Sequence, residues 1–178
     1  MVCEDSNVDV KGAALLYTMA GLMVTFAGFS AILLSVRQAA GAQLSVLDRF
    51  LARTVLTFLF TLTAGALLPP LLSLYDISES FMWKIAAVLF GLPMLFLQMT
   101  YPGRRRKAVG AMPPPIILAV FVIFASAVIA AMMIYVCAGF YYAAAAYITA
   151  VLANFLTTAF AFITAVDVIL RDPVDRPR

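Results

Sequence analysis

Long apolar runs separated by short polar stretches dominate this chain. Residues 12–36 carry no charge and are rich in Leu, Val, Phe and Ala. Thr54 to Tyr75 form a second uncharged run and Ile85 to Gly103 a third. Ala108 to Val166 contain no charged residue, a stretch far too long for one membrane-crossing helix of about 20 residues. Its break is expected at Ala138-Gly139-Phe140, since glycine punctuates helices and the aromatic neighbours suit a membrane boundary. None of the runs alternates as barrel strands do, and open sheet edges cannot face lipid. The pattern therefore predicts an all-α fold: one integral membrane bundle of five transmembrane helices, near residues 12–36, 46–75, 79–101, 115–137 and 141–170.

The polar residues between the runs mark helix starts. Ser45-Val-Leu-Asp48 reads as a capping box, so the second helix is expected to begin about a turn before the membrane, with Arg49 and Arg53 one above the other. Asp76-Ile-Ser-Glu79 repeats the pattern ahead of the third helix. Pro113-Pro114-Pro115 suits a first turn, where the missing N–H costs nothing, and starts the fourth. Pro69, Pro70 and Pro93 fall within spans and are expected to kink them, freeing carbonyls one turn earlier. Broken helices of that kind build sites in some transporters.

Composition agrees with the pattern. The 178 residues are 65% hydrophobic and 12% charged, against about half and a quarter in soluble domains. A small domain leaves much of its surface exposed, so this much apolar surface requires lipid as solvent. The first eleven residues, MVCEDSNVDVK, are acidic and show neither the basic start nor the small-residue cleavage site of a secretory signal. The first apolar run is therefore expected to be a retained span.

Charge placement predicts the threading. With alternating helices, one side receives Arg37, Arg49, Arg53, Arg104, Arg105, Arg106, Lys107, Arg171, Arg176 and Arg178, while the other receives only Lys11 and Lys84. Basic residues favour the cytoplasmic side. Five spans with the N-terminus outside and the C-terminus cytoplasmic follow, whereas four spans would divide the basic residues seven against five. Tyr75, Trp83, Tyr135, Tyr141 and Tyr142 would then all lie at outer helix ends, where aromatic rings collect. The stretch YPGRRRKAVGAMPPP becomes an inner loop whose Arg104, Arg105, Arg106 and Lys107 meet anionic headgroups.

Few polar residues lie within the apolar runs, and such residues are functional candidates. The second helix carries Thr54, Thr57, Thr61, Ala64, Gly65 and Leu68 at helical spacing. The fifth carries Ala150, Asn154, Thr157, Ala161 and Thr164. Two readings stand for each face: the lining of a pore, or close helix packing in which hydroxyls bond back to their own helix. Asn154 near mid-membrane wants a partner, and tying two helices together would provide one. Gln98, near the inner end of the third helix, is expected to reach headgroups. Asp167 and Arg171 are spaced for an ion pair at the inner mouth, with a cation or proton site as the sharper alternative. Cys3 and Cys137 match no metal or redox spacing; both would fall on the outer side, where they could pair.

The chain has no His, which removes the commonest general base and metal ligand. It shows no P-loop and no pair of intramembrane carboxylates. No enzymatic activity, cofactor, metal or nucleic-acid partner is expected. The expected partners are the bilayer with its anionic headgroups and either further copies of the chain or a larger membrane complex. Two functions remain: a structural or accessory membrane component, or the subunit of a small oligomeric channel.

The stretches TFAGFSAILLSVRQ, LSVLDRFLARTVLTFLFTLTAGALLPPLL and FMWKIAAVLFGLPML resemble a widespread family of small multi-pass bacterial membrane proteins. The matching elements are Phe26 to Phe29 late in the first span, Arg37, Asp48 with Arg49, Pro69, and Trp83 at the start of the third span. The resemblance covers roughly the first hundred residues. It brings no activity with it and implies a bacterial inner (plasma) membrane.

Overall fold

The computed structural model describes residues 12–39, 45–75 and 77–170, which are all-helical with short connections. Five helices are long and apolar enough to cross a membrane. These are α1 (Ala13–Ala39), α2 (Val46–Leu72), α3 (Glu79–Val109), α4 (Pro115–Cys137) and α5 (Ala143–Leu170). One 3₁₀ turn, Ser73–Tyr75, prolongs α2.

Each start and stop has a local cause. Ser45 caps α2 through a reciprocal box: the Asp48 N–H donates to Ser45 Oγ at 3.1 Å, and the Ser45 N–H donates to Asp48 Oδ2 at 3.0 Å. The third helix departs from expectation at both ends. Its N-cap is Ser78, without a side-chain cap bond, and Asp76 lies outside the described residues. At the other end α3 runs on through Pro102, Gly103 and the basic cluster to Val109, where Gly110 at φ 77° closes it in the left-handed conformation. The RRRK stretch is thus helix rather than loop. Pro102 breaks no turn there because only one backbone donor is lost, and the following four residues continue the ladder. Gly139 at φ 80° turns the chain between α4 and α5, at the expected position.

Pro69 and Pro70 lie inside α2 and Pro93 inside α3, both of which continue as helix past them. The fourth helix holds an irregularity of another kind. Leu118–Phe124 winds as a π-helix between short α-helical flanks, although no proline lies within it.

Helices α2, α3, α4 and α5 form a closed ring in which each touches the next and α5 returns to α2. Helix α1 lies outside the ring against α2, and its Phe26 makes edge contacts with Phe155 and Phe162 of α5. Phe58, Leu62, Phe90, Met94, Ile129 and Tyr147 are almost wholly inaccessible and fill the interior. Outward faces stay apolar, with Phe60, Phe96, Ile123 and Ile134 all exposed. Contacts at the two ends show the helices running up and down. Phe50, Tyr101 and Phe121 meet at the end bearing the arginines, and Trp83 meets Tyr147 nearer the other.

Candidate functional site

Three buried polar side chains from three helices meet at one level of the ring. Gln98 of α3 donates from Nε2 to Asn154 Oδ1 of α5 at 2.6 Å, and Ser126 of α4 donates from Oγ to Gln98 Oε1 at 3.0 Å. Asn154 Nδ2 donates to the Ala150 carbonyl at 2.9 Å. Gln98 and Asn154 are fully buried, and Ser126 nearly so. Gln98 therefore does not reach toward headgroups: it points inward, because the amide of Asn154 offers it a partner that hydrocarbon does not. Three helices are joined by groups that would each cost several kcal/mol if left unpaired in lipid.

The threonines are used locally. Thr57 donates to the Arg53 carbonyl, Thr61 to Thr57, Thr157 and Thr158 to Asn154, and Thr164 to Ala161, all between 2.8 and 2.9 Å. The α2 stripe is also split in space. Thr54 and Gly65 are buried, Thr57 and Thr61 half-buried, and Ala64 exposed. The α5 face holds together, with Ala150, Asn154 and Thr157 buried and Ala161 and Thr164 half-buried.

A second cross-helix bond begins at a proline. Pro69 lacks the N–H that would close the turn on the Gly65 carbonyl. The Tyr147 hydroxyl takes that place, donating to Gly65 O at 2.7 Å. Gly65 allows the approach of α3, since a Cβ there would run into the Phe90 ring. Phe90 and Trp83 in turn pack on Tyr147, at 5.7 and 5.6 Å between centroids. Trp83 is 2% exposed, so near the start of α3 its ring packs into this core instead of facing outward, and its indole N–H finds no partner among the described residues. Tyr75, Tyr141 and Tyr142 are exposed.

At the basic end, Arg104 donates to the Leu97 carbonyl at 3.2 Å and Arg105 to the Met112 carbonyl at 2.6 Å. Arg49, Arg106 and Lys107 are exposed, as is Arg53. The Asp167 side chain and Arg171 lie outside the described residues, as does Cys3; Cys137 is exposed at the end of α4. Among the described residues no group of three or more Cys, Asp or Glu side chains is placed to hold a metal.

The class defined by these features is a helical bundle with five apolar helices of membrane-crossing length. No protein-family model, curated protein or solved structure matches the chain.

Sequence reasoning singled out Asn154 and Gln98 without pairing them, and it missed Ser126. Gln98 and Ser126 lie on two other helices, and no spacing rule connects them. For the Tyr147 bond a signal was available: Pro69 leaves the Gly65 carbonyl one turn earlier in need of a donor.

Proposed function

We propose that this protein is a non-catalytic component of a bacterial inner membrane, crossing it five times with its N-terminus outside and its C-terminus cytoplasmic. It acts as a structural or accessory subunit, packing with further copies of itself or with a larger membrane complex. The observation that carries this reading is the Gln98–Asn154–Ser126 network. The strongest polar groups of the apolar region satisfy one another across three helices, and Phe58, Phe90, Met94 and Ile129 fill the interior around them. Polar groups spent on internal bonds hold a bundle together and leave a permeating ion little to coordinate. The ten-to-two division of basic residues supports the orientation. The resemblance over the first hundred residues supports the choice of membrane.

Purified protein in liposomes tests the reading. The expected result is no ion or solute flux, together with a defined oligomer or a co-purifying membrane partner by native mass measurement. Flux that disappears in Asn154→Leu and Thr61→Val variants would replace this role with that of a channel.

A further inference from the structure

An apolar cleft opens at the basic end of the bundle, between all four helices of the ring. Leu47, Leu51 and Val55 of α2 form one wall, Ile117 and Phe121 of α4 another, and Ala161 of α5 the back. Arg105 and Tyr101 of α3 lie at the same opening. The cavity measures about 130 Å³. That is close to the roughly 150 Å³ of an apolar cavity that accepts benzene, so it has room for about six carbons of a chain.

Arg105 gives the rim its positive charge, and Arg104, the preceding residue on α3 and outside the lining, adds a second. The Nε atoms of Arg104 and Arg105 are buried and have no hydrogen-bond partner among the described residues. Arg53 of α2 lies within electrostatic range of Arg104. Each of the two α3 guanidiniums makes one bond to a backbone carbonyl, which leaves most of a five-donor fork available. The Arg105 bond to Met112 also fixes the connection to α4 beside Pro114, which lines the cleft.

Depth selects the ligand. Helix α3 has 31 residues and is about 46 Å long, whereas the hydrocarbon core is about 30 Å thick. A span of about 20 residues starting near Trp83 reaches its far boundary close to Pro102. Arg104 and Arg105 then sit one turn beyond it, at the level of lipid phosphates.

We infer that this cleft is a binding site for one anionic phospholipid, with the phosphate held by Arg105 and Arg104 and part of one acyl chain seated among Leu51, Val55, Ile117 and Phe121. The inference rests on the membrane reading above but not on the accessory role. A phosphate offers paired acceptor oxygens to the planar donor fork of a guanidinium, and an acyl chain matches the cleft wall.

The test is lipid retention by the detergent-purified full chain, read by native mass spectrometry with added phosphatidylglycerol or phosphatidylcholine. One phosphatidylglycerol is expected to remain bound, with phosphatidylcholine retained about tenfold less. Arg105→Gln and Arg104→Gln each weaken retention about fivefold, the worth of one basic residue at an anionic surface. Ala161→Phe fills the cleft without changing charge and abolishes retention. Arg106→Gln with Lys107→Gln, exposed on the same helix and outside the cleft, weakens it less than either single change. Glycerol phosphate, lacking chains, does not compete. Equal loss in the Arg106/Lys107 variant, full retention in Ala161→Phe, or full competition by glycerol phosphate would each overturn the site. Circular dichroism and gel filtration confirm that every variant compared is folded. Flux plays no part in this readout, so its outcome and that of the accessory role are independent.

Discussion

Tyr147 on α5 supplies the hydrogen bond that Pro69 withholds from Gly65 on α2, with its phenolic oxygen 2.7 Å from the Gly65 carbonyl. A proline in a membrane helix leaves a carbonyl exposed to hydrocarbon unless a neighbour compensates. Here the compensation is also the contact between two helices, so a local defect has become a tertiary bond.

Tyr147→Phe is expected to destabilise the bundle by about 1 kcal/mol, since it leaves a buried acceptor unpaired. In a Pro69→Ala background residue 69 regains its N–H and closes the turn itself. The cost of Tyr147→Phe should then fall toward zero. A double-mutant cycle of unfolding in mixed micelles measures the difference, and equal costs in both backgrounds would show that the hydroxyl does not serve this carbonyl.

Asn154→Leu strands the Gln98 amide, and Gln98→Leu strands Asn154. Each single change is expected to cost about 1–2 kcal/mol. The double change removes both partners together and should cost less than the sum. Strict additivity in the same unfolding assay would mean the two amides do not support each other.

Gly65→Ala places a methyl group against the Phe90 ring near its base, where little motion is available. About 1–3 kcal/mol of destabilisation is expected from overpacking. Phe90→Ala should offset part of it, giving a non-additive pair. Gly91→Ala provides the contrast. Its added methyl meets the Met133 side chain, which is flexible and can move aside, so the effect should be smaller.

Thr57→Val and Thr61→Val remove hydroxyls that bond only to their own helix. Their combined effect on stability is expected within about 0.5 kcal/mol.

The threading makes a separate prediction. In a Cys3→Ser background, Cys137 is expected to react with an impermeant thiol reagent added to intact cells, since it is exposed at the end opposite the arginines. A cysteine at Ala111, with Cys137 also replaced by Ser, should react only after permeabilisation. Ala111 is exposed and avoids the left-handed backbone of Gly110, where a side chain would strain the cap. Labelling of Ala111→Cys from outside would reverse the orientation.

The five helices, the turn at Gly139 and the Ser45–Asp48 cap were legible in the chain because each depends on residues close in sequence: uninterrupted apolar length, a residue tolerant of positive φ, and a reciprocal bond over one turn. The reach of α3 to Val109 was not legible, because proline and glycine inside RRRK-flanking sequence resemble a loop until the ladder around them is complete. The inward direction of Gln98 and Trp83 was not legible for a related reason. A residue near a helix end can point to lipid, headgroup or core, and the choice depends on which neighbour faces it. For Gln98 that neighbour is Asn154, 56 residues away, and for Trp83 it is Tyr147. Sequence by itself determined that these helices form and what solvent their outer faces require, since hydrophobic length is a local property. Only the tertiary structure decided which polar groups pair, because pairing across helices depends on rotation and register that no single helix encodes.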